Sequence, residues 1–148
     1  MERIVVFILL QLLASGYAVL RGGAPERIAG LALLSAAVAT RFMHRGGAGL
    51  DLGVLSVDLL LLGVLVVVAL FADRHWPLLL AALQALGTGA HLVKALDDGV
   101  LRLVYAILAA SWSYPMLFVL VIGTFRHRSR LARIGADPGW SRGGSTRA

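Results

Sequence analysis

The sequence predicts an all-α fold, a polytopic transmembrane helix bundle of five helices, or of four if the second apolar segment does not span. Three observations carry this. Hydrophobic residues make up 59% of the 148-residue chain and charged ones only 15%, where a soluble domain carries about 25% charged and 45–50% apolar. Apolar runs of about bilayer length follow one another, separated by short Gly-, Pro- and charge-containing turns. Polar residues gather at one end, from Arg126 to Ala148, so no separate soluble domain is expected.

The first element is the apolar run at residues 4–20, at the short limit for a bilayer span. A signal peptide is the rival reading, because Gly16 and Ala18 are small enough for a cleavage site. The leading Met1-Glu2-Arg3 has almost no net positive charge, however, and a second apolar run follows at once, which favours a retained helix. "RGGAPER" (21–27) is a turn: two glycines break the helix and Pro25 suits the first turn of the next. The second helix is expected at 25–44, with Arg27 and Arg41 snorkelling at its ends; an interfacial or re-entrant helix is the alternative. After "HRGGAGLD" the third helix, 50–72, is the most apolar of the chain. "DRH" makes a tight connection to the fourth, 76–96, and "DDG" leads to the fifth, 100–125, long enough to tilt or project. Within that fifth helix Pro115 removes a hydrogen bond to Ser111 and predicts a kink. Trp76 and Phe125 suit interfacial anchors, and Trp112 reads as packing.

Charge orients the bundle. Arg126, Arg128, Arg130 and Arg133 follow the last apolar run, which predicts a cytoplasmic C-terminus. Nine of the fourteen Lys and Arg residues then fall inside and five outside. Net charge is +6, and six basic residues lie in the tail, so anionic lipid headgroups, rather than nucleic acid, are the expected partner of Arg126, Arg128, Arg130 and Arg133. The tail begins with "RHRSRLARIG", a short basic continuation of the fifth helix, and its Gly/Ser/Pro-rich remainder is expected to be disordered, with Trp140 as an anchor if it docks on a partner. Ala32, Ala36 and Thr40, and again Ala81, Ala85 and Gly89, form small-residue stripes that let helices pack closely within the bundle.

One residue stands apart. Asp58 lies about 12 Å into the third helix, at 1.5 Å per residue. On the antiparallel fourth helix, His91, Thr88 and Gln84 lie about 7.5, 12 and 18 Å from the same end. Their i, i+4, i+7 spacing puts these three on one face. With Lys94 near the mouth they predict an intramembrane polar seam: Asp58, Gln84, Thr88, His91 and Lys94. A carboxylate in lipid must be paired or protonated, so Asp58 should face the interior. Two roles are open: a proton- or cation-binding group, or a polar contact that fixes helix register.

Other chemistry is poorly represented. The chain has no cysteine, which excludes disulfides, thiolate chemistry and Cys-based metal sites. His44, His75 and His127 are expected at helix ends or in loops, so no second histidine faces His91 to complete a haem site, and neither cofactor nor metal is expected. No nucleophile–base pair, zincin motif or phosphate loop is present, so no catalytic residues are assigned and the chain is read as not an enzyme.

Two stretches, "FADRHWPLLLAALQALGTGAHL" and "WSYPMLFVLVIGTFRHRSR", resemble a group of small, uncharacterised polytopic inner-membrane proteins of alphaproteobacteria. The resemblance covers the last three helices. It implies an inner-membrane location and carries over no activity or functional residue. The prevalence of Arg over Lys and the Ala, Gly, Leu and Val bias are those of a GC-rich bacterial genome. The expected role is that of an accessory, assembly or interaction subunit of a larger membrane system, in contact with lipid and other membrane proteins. A small ion- or proton-coupled transporter or channel using Asp58 and His91 is the alternative.

Overall fold

The computed structural model describes residues 2–43, 51–96, 112–137 and 140. Among these the chain is all-helical, with five helices: α1 (Glu2–Arg21), α2 (Ala24–Met43), α3 (Leu52–Phe71), α4 (Trp76–Leu96) and α5 (Ser113–Ile134). Two of them, α1 over Ile4–Arg21 and α3 over Leu52–Phe71, are long and apolar enough to cross a membrane.

Local chemistry sets the boundaries. Asp51 caps α3, its Oδ1 accepting from the backbone N–H of Gly53 at 3.1 Å and of Val54 at 3.4 Å, which satisfies donors that the first turn leaves open. Gly135 ends α5 with φ of 75°, in the left-handed region, and its N–H bonds back to Leu131. Between α1 and α2 only Gly22 and Gly23 intervene. A Cβ on Gly22 would lie 2.4 Å from both the Ala18 carbonyl oxygen and Glu26 Cβ, so the turn closes only without a side chain there.

The fifth helix differs from its expectation. It begins at Ser113, so Pro115 sits in its first turn, where a missing N–H breaks no helical bond, and it is not a mid-helix kink. Residues 97–111, including Ser111, Asp97, Asp98 and Arg102, lie outside the described residues. At the other end the helix runs on to Ile134, in keeping with the short basic continuation expected after Phe125.

α1, α3 and α5 run one way and α2 and α4 the other. The start of α1 meets the start of α5 through Phe7 and Tyr114, edge to face at 5.3 Å between ring centroids. Each helix packs on its neighbours in sequence, α5 also packs on α1, and α2 reaches across to α5, which closes a ring. Leu65, Leu80 and Leu120, all fully buried, form its centre with Leu33, Leu61 and Met116, while Ala18, Ala29 and Ala81 bring the backbones together. Gly123 of α5 lies flat against the Trp76 ring of α4: a Cβ there would come within 2.9 Å of it. α3 exposes Leu60, Leu70 and Phe71 while burying Leu61, Leu65 and Val68, so its apolar side chains lie all round it.

Candidate functional site

Two clusters of polar side chains lie buried in the ring, at opposite ends. The first joins α3 to α4. Asp58 accepts from both sides: Gln84 Nε2 donates to Oδ1 at 3.3 Å, and His91 Nε2 lies 2.9 Å from Oδ2. The two α4 residues are seven apart, two helical turns, so one carboxylate bridges both turns. Gln84 Nε2 also lies 3.3 Å from the Asp58 carbonyl oxygen and 3.4 Å from Thr88 Oγ1. The structure therefore brings together four members of the anticipated seam. Thr88 takes part through Gln84 rather than by meeting Asp58 itself. Gln84, Thr88 and His91 are buried. Lys94 lies on α4, and its side chain is outside the described residues. A carboxylate and an imidazole in contact can hold a proton between them, and the same contact fixes the register of α3 against α4.

The second cluster was not anticipated as a site. Arg74, in the tight α3–α4 connection, is buried, and so is Glu26 in the first turn of α2, whose carboxylate is 0% exposed. Arg74 Nη1 donates to Glu26 Oε1 at 2.9 Å, and Nη2 donates to Asp137 Oδ2 at 2.7 Å. His127 Nδ1 is 2.7 Å from the same Asp137 oxygen and 3.4 Å from Arg74 Nη2. Since the ionised Asp137 carboxylate can only accept, Nδ1 at 2.7 Å carries its proton toward it, and the longer approach to Arg74 Nη2 is then a contact between donors. Arg130 Nε completes the set, 3.3 Å from Asp137 Oδ1. Burial raises the Asp137 pKa, but the bond from His127 and the charges of Arg74 and Arg130 outweigh it, holding the carboxyl below the usual carboxylate range. Glycine again makes room: a Cβ on Gly23 would lie 2.9 Å from His127 Cε1.

This cluster changes three expectations. His127 lies inside α5 and is buried, because the helix continues past the last apolar run. Arg74, counted with the inside charges, is a buried cation that ties the α3–α4 connection to α2. Of the stretch expected to be disordered, Asp137 is tied to Arg74, and Trp140 pairs its backbone with Ala72 in an isolated antiparallel bridge. Of the four arginines assigned to headgroups, Arg126, Arg128 and Arg133 are exposed, whereas Arg130 is half-buried on Asp137. A smaller buried pair, Gln11 and Ser15, lies along α1 at 3.3 Å.

The chain matches no family model, no curated protein and no solved structure. Function rests on the geometry.

The signal for the second cluster was present in part. Glu26 and Arg74 are opposite charges in turns that an antiparallel topology places at the same end of the bundle. Asp137 gave no such signal, since its stretch has no apolar periodicity. Among the described residues, no group of three or more His, Asp or Glu side chains is arranged to hold a metal ion.

Proposed function

We propose that the chain is a multi-pass protein of the bacterial inner membrane, with a cytoplasmic C-terminus, that serves as an accessory, assembly or interaction subunit of a larger membrane system. The observation carrying this reading is that, among the described residues, the buried and half-buried charged groups bond to other elements of the same chain: Asp58 of α3 to Gln84 and His91 of α4, Arg74 to Glu26 and Asp137. Such pairs hold a scaffold in one arrangement. Two apolar spans and the outward Leu, Val, Ile and Phe side chains of all five helices support a lipid setting, since a water-soluble monomer seldom exposes so much contiguous apolar surface.

Purification of the full chain in mild detergent tests the proposal. A stoichiometric complex whose assembly fails when the gene is deleted supports it. The second reading, a proton- or ion-coupled carrier, is favoured by the Asp58–His91 contact at 2.9 Å. A chain that purifies alone and gives proteoliposomes an Asp58-dependent proton flux would replace the first reading with that one.

A further inference from the structure

The last turn of α1, the start of α2 and the outer part of α5 enclose an open cleft of about 690 Å³, within the size of small-ligand sites, about 300–1,000 Å³. Three of its lining residues are arginines: Arg21 from α1, Arg27 from α2 and Arg128 from α5. Among the described residues no carboxylate lines it. Of the acids nearby, Glu26 places Oε1 on Arg74 and keeps Oε2 buried beneath Gly23, and Asp137 faces Arg74, His127 and Arg130. Among the described residues Arg21 and Arg128 make no ion pair, and Arg27 spends only Nε, on the Gly22 carbonyl at 3.0 Å. Gly22 and Gly23 form its floor, packed from beneath by Ala18, Glu26 and His127. The start of α2 and the end of α1 meet here with opposite helix-dipole signs, so those partial charges offset and the arginines decide the field.

Position selects the ligand. The apolar span of α1 ends at Arg21 and that of α3 at Phe71, three residues before Arg74, so the cleft sits where the apolar surface stops. Leu20, 75% exposed, marks its apolar edge. We infer that this cleft binds the phosphate of an anionic phospholipid headgroup, with Arg21, Arg27 and Arg128 around the phosphate and the acyl chains leaving past Leu20. The inference rests on the membrane reading above and narrows diffuse headgroup attraction to one site.

The test titrates short-chain phosphatidylglycerol, short-chain phosphatidylcholine and inorganic phosphate into the full chain in detergent and follows thermal stability. The unaltered protein should be stabilised by phosphatidylglycerol at lower concentration than by either other probe. Arg21→Gln/Arg128→Gln should raise the midpoint concentration roughly ten- to thirty-fold, the loss expected for two charges at a headgroup. Arg3→Gln/Arg41→Gln removes equal charge at the start of α1 and the end of α2, away from the cleft, and should leave the midpoint within about two-fold. Circular dichroism of each variant checks that the helices remain. Equal losses in the two double variants would overturn the cleft while leaving the membrane reading intact. Inorganic phosphate binding as tightly as the lipid would overturn the lipid assignment. No preference for phosphatidylglycerol in the unaltered protein would remove the headgroup reading itself.

Discussion

At the scale of single residues, the two clusters differ in what they can lose. Asp58→Asn keeps an acceptor for Gln84 and His91, and hydrogen bonds between helices in membranes average about 0.6 kcal/mol. Thermal unfolding in detergent should therefore barely change. Asp58→Leu removes the acceptor that both α4 side chains share and should cost about 1–3 kcal/mol. An Asn variant that unfolds as readily as the Leu variant would mean that the carboxylate's charge holds α3 to α4. Arg74→Leu is harsher, because it leaves the Glu26 carboxylate buried without its cation, while Asp137 keeps His127 and Arg130. Removing one member of such a pair costs about 3–5 kcal/mol, which denaturation of the purified variant would read directly. Asp137 adds a pH dependence whose sign follows from its depressed pKa. The stability it lends is present above the ordinary carboxylate pKa and is lost as pH falls through the lowered one. The tail should thus stay resistant to protease through mildly acidic pH and open only below the usual carboxylate range. In Asp137→Asn it should be cleaved readily at every pH, and an unchanged cleavage profile would count against the clasp.

At the scale of elements, the helices and the first cluster were legible for the same reason: both depend on spacing along one helix or on depth within antiparallel neighbours. Gln84, Thr88 and His91 share a face by periodicity, and counting residues inward from one end of the bundle put Asp58 opposite them. The Arg74 cluster obeys no period. Its bonds join residues 48 and 63 positions apart, from turns and a polar tail that carry no helical pattern. The start of α5 was hidden because Ser, Tyr and Pro at 113–115 continue an apolar stretch with no break in composition. Close helix contacts were legible only as small-residue stripes, and the decisive glycine lies outside them. Gly123→Ala should lower stability by about 1–3 kcal/mol as its methyl drives into the Trp76 ring. Gly63→Ala meets nothing within 4 Å and should stabilise α3 by up to about 1 kcal/mol. Equal effects at the two sites, measured by thermal unfolding, would show that α4 and α5 are not in that contact.

At the scale of the whole molecule, α1, α3 and α5 share one direction, so the ends of α1 and α5 and the α3–α4 connection lie on the same side of the ring. With the proposed cytoplasmic C-terminus, alkaline phosphatase fused after Ala148 should be inactive and a fluorescent protein bright; the reverse pattern would invert the orientation. The same geometry has a consequence for biosynthesis. Arg74 leaves the ribosome 48 residues after Glu26 but 63 residues before Asp137. At roughly 5–20 residues per second that interval lasts roughly 3–12 s. Through it, three-quarters of a ring must be held by apolar packing and the Glu26 half of the clasp, with the seat for α5 still open. The stretch made just after α5 is therefore the one that fastens the α3–α4 connection, and a transcript cut short before Asp137 yields helices without that fastening.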